Sequence, residues 1–130
     1  INRTKDNWGK AIYAATGRRG VDVVVDNVGA DTFATSLRSL KKGGRLLTVG
    51  NTSGPKFELD NRLIFFRHLS IIGSSMGTTG DYREVMELIF DGRLQPVIDS
   101  VIPMRDGIKA FRRLHDGLTL GKLVLDINQS

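Results

Sequence analysis

His68 and His115 are the only histidines in the sequence, and there is no cysteine. Imidazoles and thiolates are the usual proton shuttles, nucleophiles and transition-metal ligands. The two histidines stand far apart, outside any H-x-x-x-H pattern or paired-carboxylate motif, so each reads as a surface or helix-end residue. Ser39 and Lys42 have S-x-x-K spacing, but both fall on an expected helix without companion motifs. "GLTLGK", ending at Lys122, has one residue too few between its glycines for a phosphate loop, and Leu123 replaces the magnesium-holding hydroxyl. Tyr13 and Tyr82 are followed four residues on by Gly17 and Met86, which removes a Tyr–Lys proton-transfer pair. What remains is main-chain chemistry. The clusters "DNVG", "VGN" and "GSSMG" are small and polar, and an absent side chain lets a flat ring or a phosphate lie against the backbone. For Gly50, Gly73 and Gly77 the plainer reading is a turn with positive φ. Three such sites on one sheet edge favour the ligand.

That shared edge follows from the elements around the clusters. Trp8, Ala11, Ile12 and Ala15 fall on one face of a first helix, capped by Thr4 or Asp6 and ended by Gly17. The run from Val21 to Val28 is nearly all apolar and β-branched, as in a strand covered on both faces. Phe33, Leu37 and Leu40 stripe a second helix, with Asp31 as its N-cap and Gly43 past its end. A strand from Arg45 to Val49, a short helix through Leu59, Leu63 and Phe66, and a strand from Leu69 to Ile72 follow. Asp81 and Glu84 have capping-box spacing ahead of a helix ended by Gly92. Past Pro96 the character changes to "VIDSVIP" strand, "MRDGIKAFRRLHDG" helix and "GKLVLDI" strand. Strands separated by helices imply parallel crossovers and an α/β fold, whose ligands sit beyond the carboxyl ends of the strands.

At 130 residues with 40% hydrophobic content, the chain has the size and composition of one folded domain. No apolar run approaches the ~20 residues of a membrane span, and no signal peptide is visible, so a cytoplasmic protein without membrane association is expected. The net charge of +5 comes from scattered basic residues without a nucleic-acid-binding motif, so nucleic acid is not an expected partner. No G-x-G-x-x-G occurs, and the chain opens on Ile1 in mid-pattern, as a piece of a longer protein would.

"GVDVVVDNVG", "LKKGGRLLTVG", "IIGSSMG" and the closing "GKLVL", in this order and spacing, resemble the C-terminal part of medium-chain dehydrogenase/reductases. The quinone oxidoreductases and zinc-type alcohol dehydrogenases are the branches most alike. The resemblance covers almost the whole chain. It implies a partial Rossmann-type parallel sheet, strands four to six with their helices, over residues 1–97. Residues 98–130 would form a segment returning to the catalytic domain. Ile1 and Asn2 would be the tail of the third strand, and the glycine-rich loop would lie upstream. The cofactor implied is NAD(P), NADP before NAD, and the reaction is hydride transfer with a carbonyl, alcohol, quinone or enone substrate. Asn27 and Val28 would flank the adenosine or ribose side. Val49, Gly50 and Asn51 would line the nicotinamide face, and Ser74 and Met76 would offer backbone groups to the carboxamide. Lys122 would sit near the cofactor phosphates, against the plainer reading of an exposed lysine opening a strand. A homodimer would pair the apolar segment from Ser70 to Ser75 across a two-fold axis.

No catalytic residue or metal ligand is assigned, and the sequence leaves zinc in the parent protein open. Two other classes fit parts of the pattern. "VDVVVDNVG" and "LKKGGRLLTVG" also resemble the strand, helix and "L-K-P-G-G" stretch of S-adenosylmethionine-dependent methyltransferases, but the sheet of such an enzyme would soon finish in an antiparallel hairpin. A non-catalytic reductase-like scaffold would use the fold without the chemistry, and these residues alone are expected to bind dinucleotide weakly or not at all. The dehydrogenase reading requires Asn27, Asn51 and Ser74 to converge on one rim of one parallel sheet.

Overall fold

The computed structural model describes residues 1–2 and 6–129. The chain divides into two compact units, Ile1–Met76 and Gly77–Ser130. In the first unit the expected apolar stripe forms α1, Trp8–Ala15. Its cap is Asn7, whose side chain accepts from the Lys10 N–H, and not Asp6; Thr4 lies outside the described residues. Gly17 takes φ +60° directly after the C-cap Thr16. Ile1 and Asn2 lie outside any strand, and β1 is the edge of its sheet among the described residues.

Strand β1, Val21–Asp26, runs parallel to β2, Leu40–Thr48, which runs parallel to β3, Ser70–Gly73, in the order β1-β2-β3. The crossover from β1 to β2 is α2, Phe33–Ser39, and the one from β2 to β3 carries α3, Arg62–Phe66. Helix α2 buries Phe33 and Leu37 with Leu40, Leu46 and Leu69, and Val24, Leu59, Leu63 and Ile64 pack around them. The core therefore lies on one face of the sheet. Covering of β1 on both faces is not observed: Val25 is 64% exposed, because β1 is an edge strand and α2 packs its helical stripe on the face of Val24.

Helix α2 ends earlier than the stripe suggests. Leu40 is already extended, and its N-cap is Thr32 rather than Asp31. Gly43 lies inside β2, where Val21 stands opposite Leu40 but Val23 opposite Arg45, so residues 41–44 bulge from the ladder. Its φ of +76° makes that bulge possible, and its N–H donates to the Arg67 carbonyl at 2.8 Å. The Arg67 guanidinium in turn donates to the carbonyls of Arg38 and Leu40, the orphan acceptors at the end of α2.

In the second unit Thr78 and Asp81 form a reciprocal capping box on α4, Thr79–Phe90. The expected pair, Asp81 with Glu84, is thus displaced by one turn. Strand β4, Ile98–Pro103, is followed by a 3₁₀ turn, Met104–Asp106, by α5, Gly107–His115, and by β5, Lys122–Asp126, parallel to β4. The sheet changes where the sequence changes character, past Pro96.

Leu46 is fully buried at the centre of the first unit's core. Leu46→Ala should lower the unfolding free energy by about 3 kcal/mol in urea titration, with Val25→Ala costing under about 0.5 kcal/mol.

Candidate functional site

The registers Asp26↔Thr48 and Thr48↔Gly73 end the three strands level with one another. Asn27, Val49 and Ser74 therefore leave the sheet on one edge, the carboxyl-end edge, as the convergence of Asn27, Asn51 and Ser74 required. A recess of about 460 Å³ opens there, lined by Thr48, Val49, Gly50, Asn51, Gly73, Ser74 and Ser75. A second hollow of about 220 Å³ is lined by Trp8, Asn27, Val28 and Thr32 among others. The expected site residues thus fall into two neighbouring groups, Asn27 and Val28 in one and Val49, Gly50, Asn51 and Ser74 in the other. Met76 is fully exposed, has φ +53° and does not line the recess. Lys122 opens β5 in the other unit, its N–H donating to the Val97 carbonyl at 2.8 Å.

Positive φ does not explain these glycines: Gly50, Gly73 and Gly77 all lie outside that region. A Cβ on Gly50 would come within 2.9 Å of the Asn27 carbonyl oxygen, so its bareness lets the ends of β1 and β2 approach. A Cβ on Gly73 would meet nothing within 4 Å and would project into open space. The turn glycine is instead Gly29, at φ +92°, where a Cβ would meet the Gly54 carbonyl oxygen at 2.7 Å.

The main-chain groups at the rim are unequally available. The Val49 N–H donates to Asp26 O at 2.9 Å and the Ser74 N–H to Thr48 O at 3.0 Å, so neither is the group these residues can offer a ligand. The N–H groups of Gly50 and Asn51 have no acceptor among the described residues. These two donors beside an open shelf at Gly73 fit a flat amide-bearing ring.

Asp26 is the residue that reading the pattern passed over. It is buried and accepts the Val28 and Gly29 N–H groups on Oδ1 at 3.0 and 2.9 Å, and the Ser36 hydroxyl on Oδ2 at 2.6 Å. The Thr32 hydroxyl reaches both oxygens, at 3.0 and 2.8 Å. Burial acts to raise its pKa, but the bonds from Ser36, Gly29, Thr32 and Val28 outweigh that and hold the carboxyl below the usual range. The available signal was an acid at the end of an apolar strand, with hydroxyls six and ten residues on. Thr48 and Ser75 line the recess and were also passed over.

In the second unit, Asp99 accepts from Arg113 Nη2 at 3.0 Å and from the Leu120 N–H at 2.9 Å. The Leu120 bond first, then Ser100 and Arg113, hold its carboxyl below the ordinary value. This network fixes the loop before Lys122. Among the described residues no three His, Cys, Asp or Glu side chains are grouped to hold a metal, so the residues present do not fit a zinc site. No helix among them is long and apolar enough to cross a membrane.

A family model described as zinc-binding dehydrogenase matches residues 1–125. The chain belongs to that family. Crotonyl-CoA reductase from Streptomyces avermitilis (strain ATCC 31267) is 32% identical over 116 residues, covering 89% of this chain and 26% of that protein. The crystal structure of an NAD-dependent alcohol dehydrogenase matches with TM-score 0.85 and 32% identity, over 98% of this chain and 37% of the other. The crotonyl-CoA carboxylase/reductase AntE in complex with NADP matches with TM-score 0.81 and 25% identity, over 95% and 31%. The chain thus spans about a quarter to two fifths of the proteins it matches. As in the dehydrogenase neighbours, the sheets are parallel, and no antiparallel pair occurs among the described residues. Nothing in the sheets or the relatives supports a methyltransferase.

The Asp26 carboxyl also sets a pH dependence. A depressed folded-state pKa contributes stability that is present above the unfolded value, about 3.9, and is lost as pH falls through the folded value. Thermal melts from pH 6 to pH 2 should show Asp26→Asn losing less stability on acidification than the unsubstituted chain. Equal losses would contradict the charged, hydrogen-bonded state of this carboxyl.

Proposed function

We propose that this chain supplies the nicotinamide side of the dinucleotide cleft of an NAD(P)-dependent oxidoreductase. The observation that carries the reading is the recess at the level ends of β2 and β3, with unpaired Gly50 and Asn51 N–H groups beside an open position at Gly73. Bound there, the cofactor would supply a hydride to, or take one from, a carbonyl, alcohol, quinone or enone carbon. The chain's own task is orientation. The Gly50 and Asn51 N–H groups hold the carboxamide, Val49 bounds one face of the ring, and the bare Gly73 leaves room for it. This fixes which ring face meets the substrate without a side-chain acid. Asn27 and Val28, in the neighbouring hollow, flank the adenosine or ribose side.

Residues 1–97 are assigned to the dinucleotide-binding domain and 98–130 to the returning segment of the catalytic domain. The NADP in the AntE complex and the NAD dependence named for the alcohol dehydrogenase both support a nicotinamide dinucleotide, and the reading keeps NADP before NAD as its own preference. The crotonyl-CoA in a relative's name supports a conjugated enoyl thioester within the proposed substrate range. Edge strand β3, exposed along its length, supports two-fold pairing through residues 70–75, and a cytoplasmic location goes with the reading.

Nuclear magnetic resonance titration of the chain with millimolar NADP⁺ and NADPH tests the proposal. Shifts should concentrate at the Gly50, Asn51 and Ser75 amides, with affinity weaker than micromolar. Gly73→Val should abolish them without lowering the melting temperature, since its side chain enters open space on a strand. Shifts concentrated away from these amides would favour a non-catalytic scaffold.

A further inference from the structure

Asp26 is the only buried ionisable side chain among the described residues, and no cation contacts it. Its two oxygens do different work. Oδ1 accepts two main-chain N–H groups, Val28 and Gly29, which bend the chain directly after β1. Oδ2 meets only hydroxyls, those of Ser36 and Thr32. A hydroxyl can reverse and accept, whereas a main-chain N–H cannot.

The bend that Oδ1 holds is itself a platform. The Val28 carbonyl accepts both the N–H and the hydroxyl of Ser53, each at 2.8 Å, and the Asn27 carbonyl accepts the Thr52 hydroxyl at 3.0 Å. Ala30 N–H donates back to the Gly54 carbonyl at 3.2 Å, and Asp31 N–H to the Ser53 hydroxyl at 3.0 Å. The loop that follows β2 and starts at Gly50 and Asn51 is therefore bonded along its length to the turn that Asp26 organises. The bare Gly29 lets Gly54 and Asn51 sit directly against it.

We infer that Asp26 is a positioning residue for the cofactor rim: through Oδ1, the 27–29 turn and Ser53 it sets where the Gly50 and Asn51 N–H groups stand. The role belongs to one acceptor oxygen and not to the charge. An asparagine can keep an acceptor toward Val28 and Gly29 while its amide donates to Ser36 and Thr32. Alanine can do neither. The inference rests on the cleft reading above for its ligand, but the rim order it describes is a property of the free chain.

The test uses the 130-residue chain with two readouts, amide hydrogen exchange without ligand and NADP⁺ affinity by resonance titration. Asp26→Ala should speed exchange at the Ala30 and Ser53 amides about tenfold and weaken NADP⁺ about tenfold, the scale of one lost hydrogen bond to a charged group. Asp26→Asn should restore both to within about threefold. Ser53→Ala, an outer-loop change that leaves the core intact, should weaken NADP⁺ several-fold even where Asp26→Ala fails to fold. Ser36→Ala, which touches only Oδ2, should lower the melting temperature while leaving exchange at the Ala30 and Ser53 amides unchanged. The inference is overturned if Ser36→Ala loosens the rim as much as Asp26→Ala, or if Ser53→Ala binds and exchanges like the unsubstituted chain. Exchange effects as described, with NADP⁺ shifts that fall away from the Gly50 and Asn51 amides, would uphold the positioning role and remove the cleft reading instead.

Discussion

A buried carboxylate that no cation among the described residues touches is the constraint around which the first unit is arranged. Burying an unpaired charge is costly unless hydrogen bonds replace the lost water. Asp26 meets that condition with donors from four residues drawn from the turn after β1 and from α2. Satisfying it forces the chain to bend at Val28 and Gly29, and places Thr32 and Ser36 on the helix face turned toward the end of the strand. The bend decides where the next loop can dock, and that loop forms one wall of the recess. Local electrostatics, helix entry and site geometry are therefore one problem with one solution.

Much of this was legible in the residues. The valine run, the Phe33–Leu37–Leu40 stripe and the two strand ends gave the parallel α/β order, and level registers put the clusters on one edge as expected. What escaped were features decided by tertiary approach. A run such as "VDVVVD" marks a strand but does not tell which faces are covered, and Val25 is bare. Glycines look alike in a sequence. Here the turn conformation belongs to Gly29 and Gly43, whereas Gly50 is required by a neighbouring carbonyl and Gly73 by nothing but open space. Caps shifted for a similar reason. Asn7 takes the cap in place of adjacent Asp6, and Asp81 closes a box opened by Thr78 where the spacing suggests that it opens one with Glu84.

The site was legible as a place and less so as a set of groups. Asn27, Val49, Gly50, Asn51 and Ser74 lie at the rim, yet the N–H groups of Val49 and Ser74 already serve the sheet. Met76 stands clear of the recess, and Lys122 belongs to the other unit. Side-chain identity does not reveal which main-chain donors a ladder consumes. That is fixed by where each strand stops pairing, and Thr48 and Gly73 mark that limit.

Arg67 shows how a single side chain can join events that the fold diagram separates. Its guanidinium covers the carbonyls closing α2, and its own carbonyl receives the N–H of the bulged Gly43. Fraying of the α2 exit, relaxation of the bulge and detachment of the α3 terminus are thereby linked into one cooperative opening, rather than three independent small ones. This corner should behave as a single foldon at the end of the sheet opposite the recess, so transient breathing there need not disturb the rim.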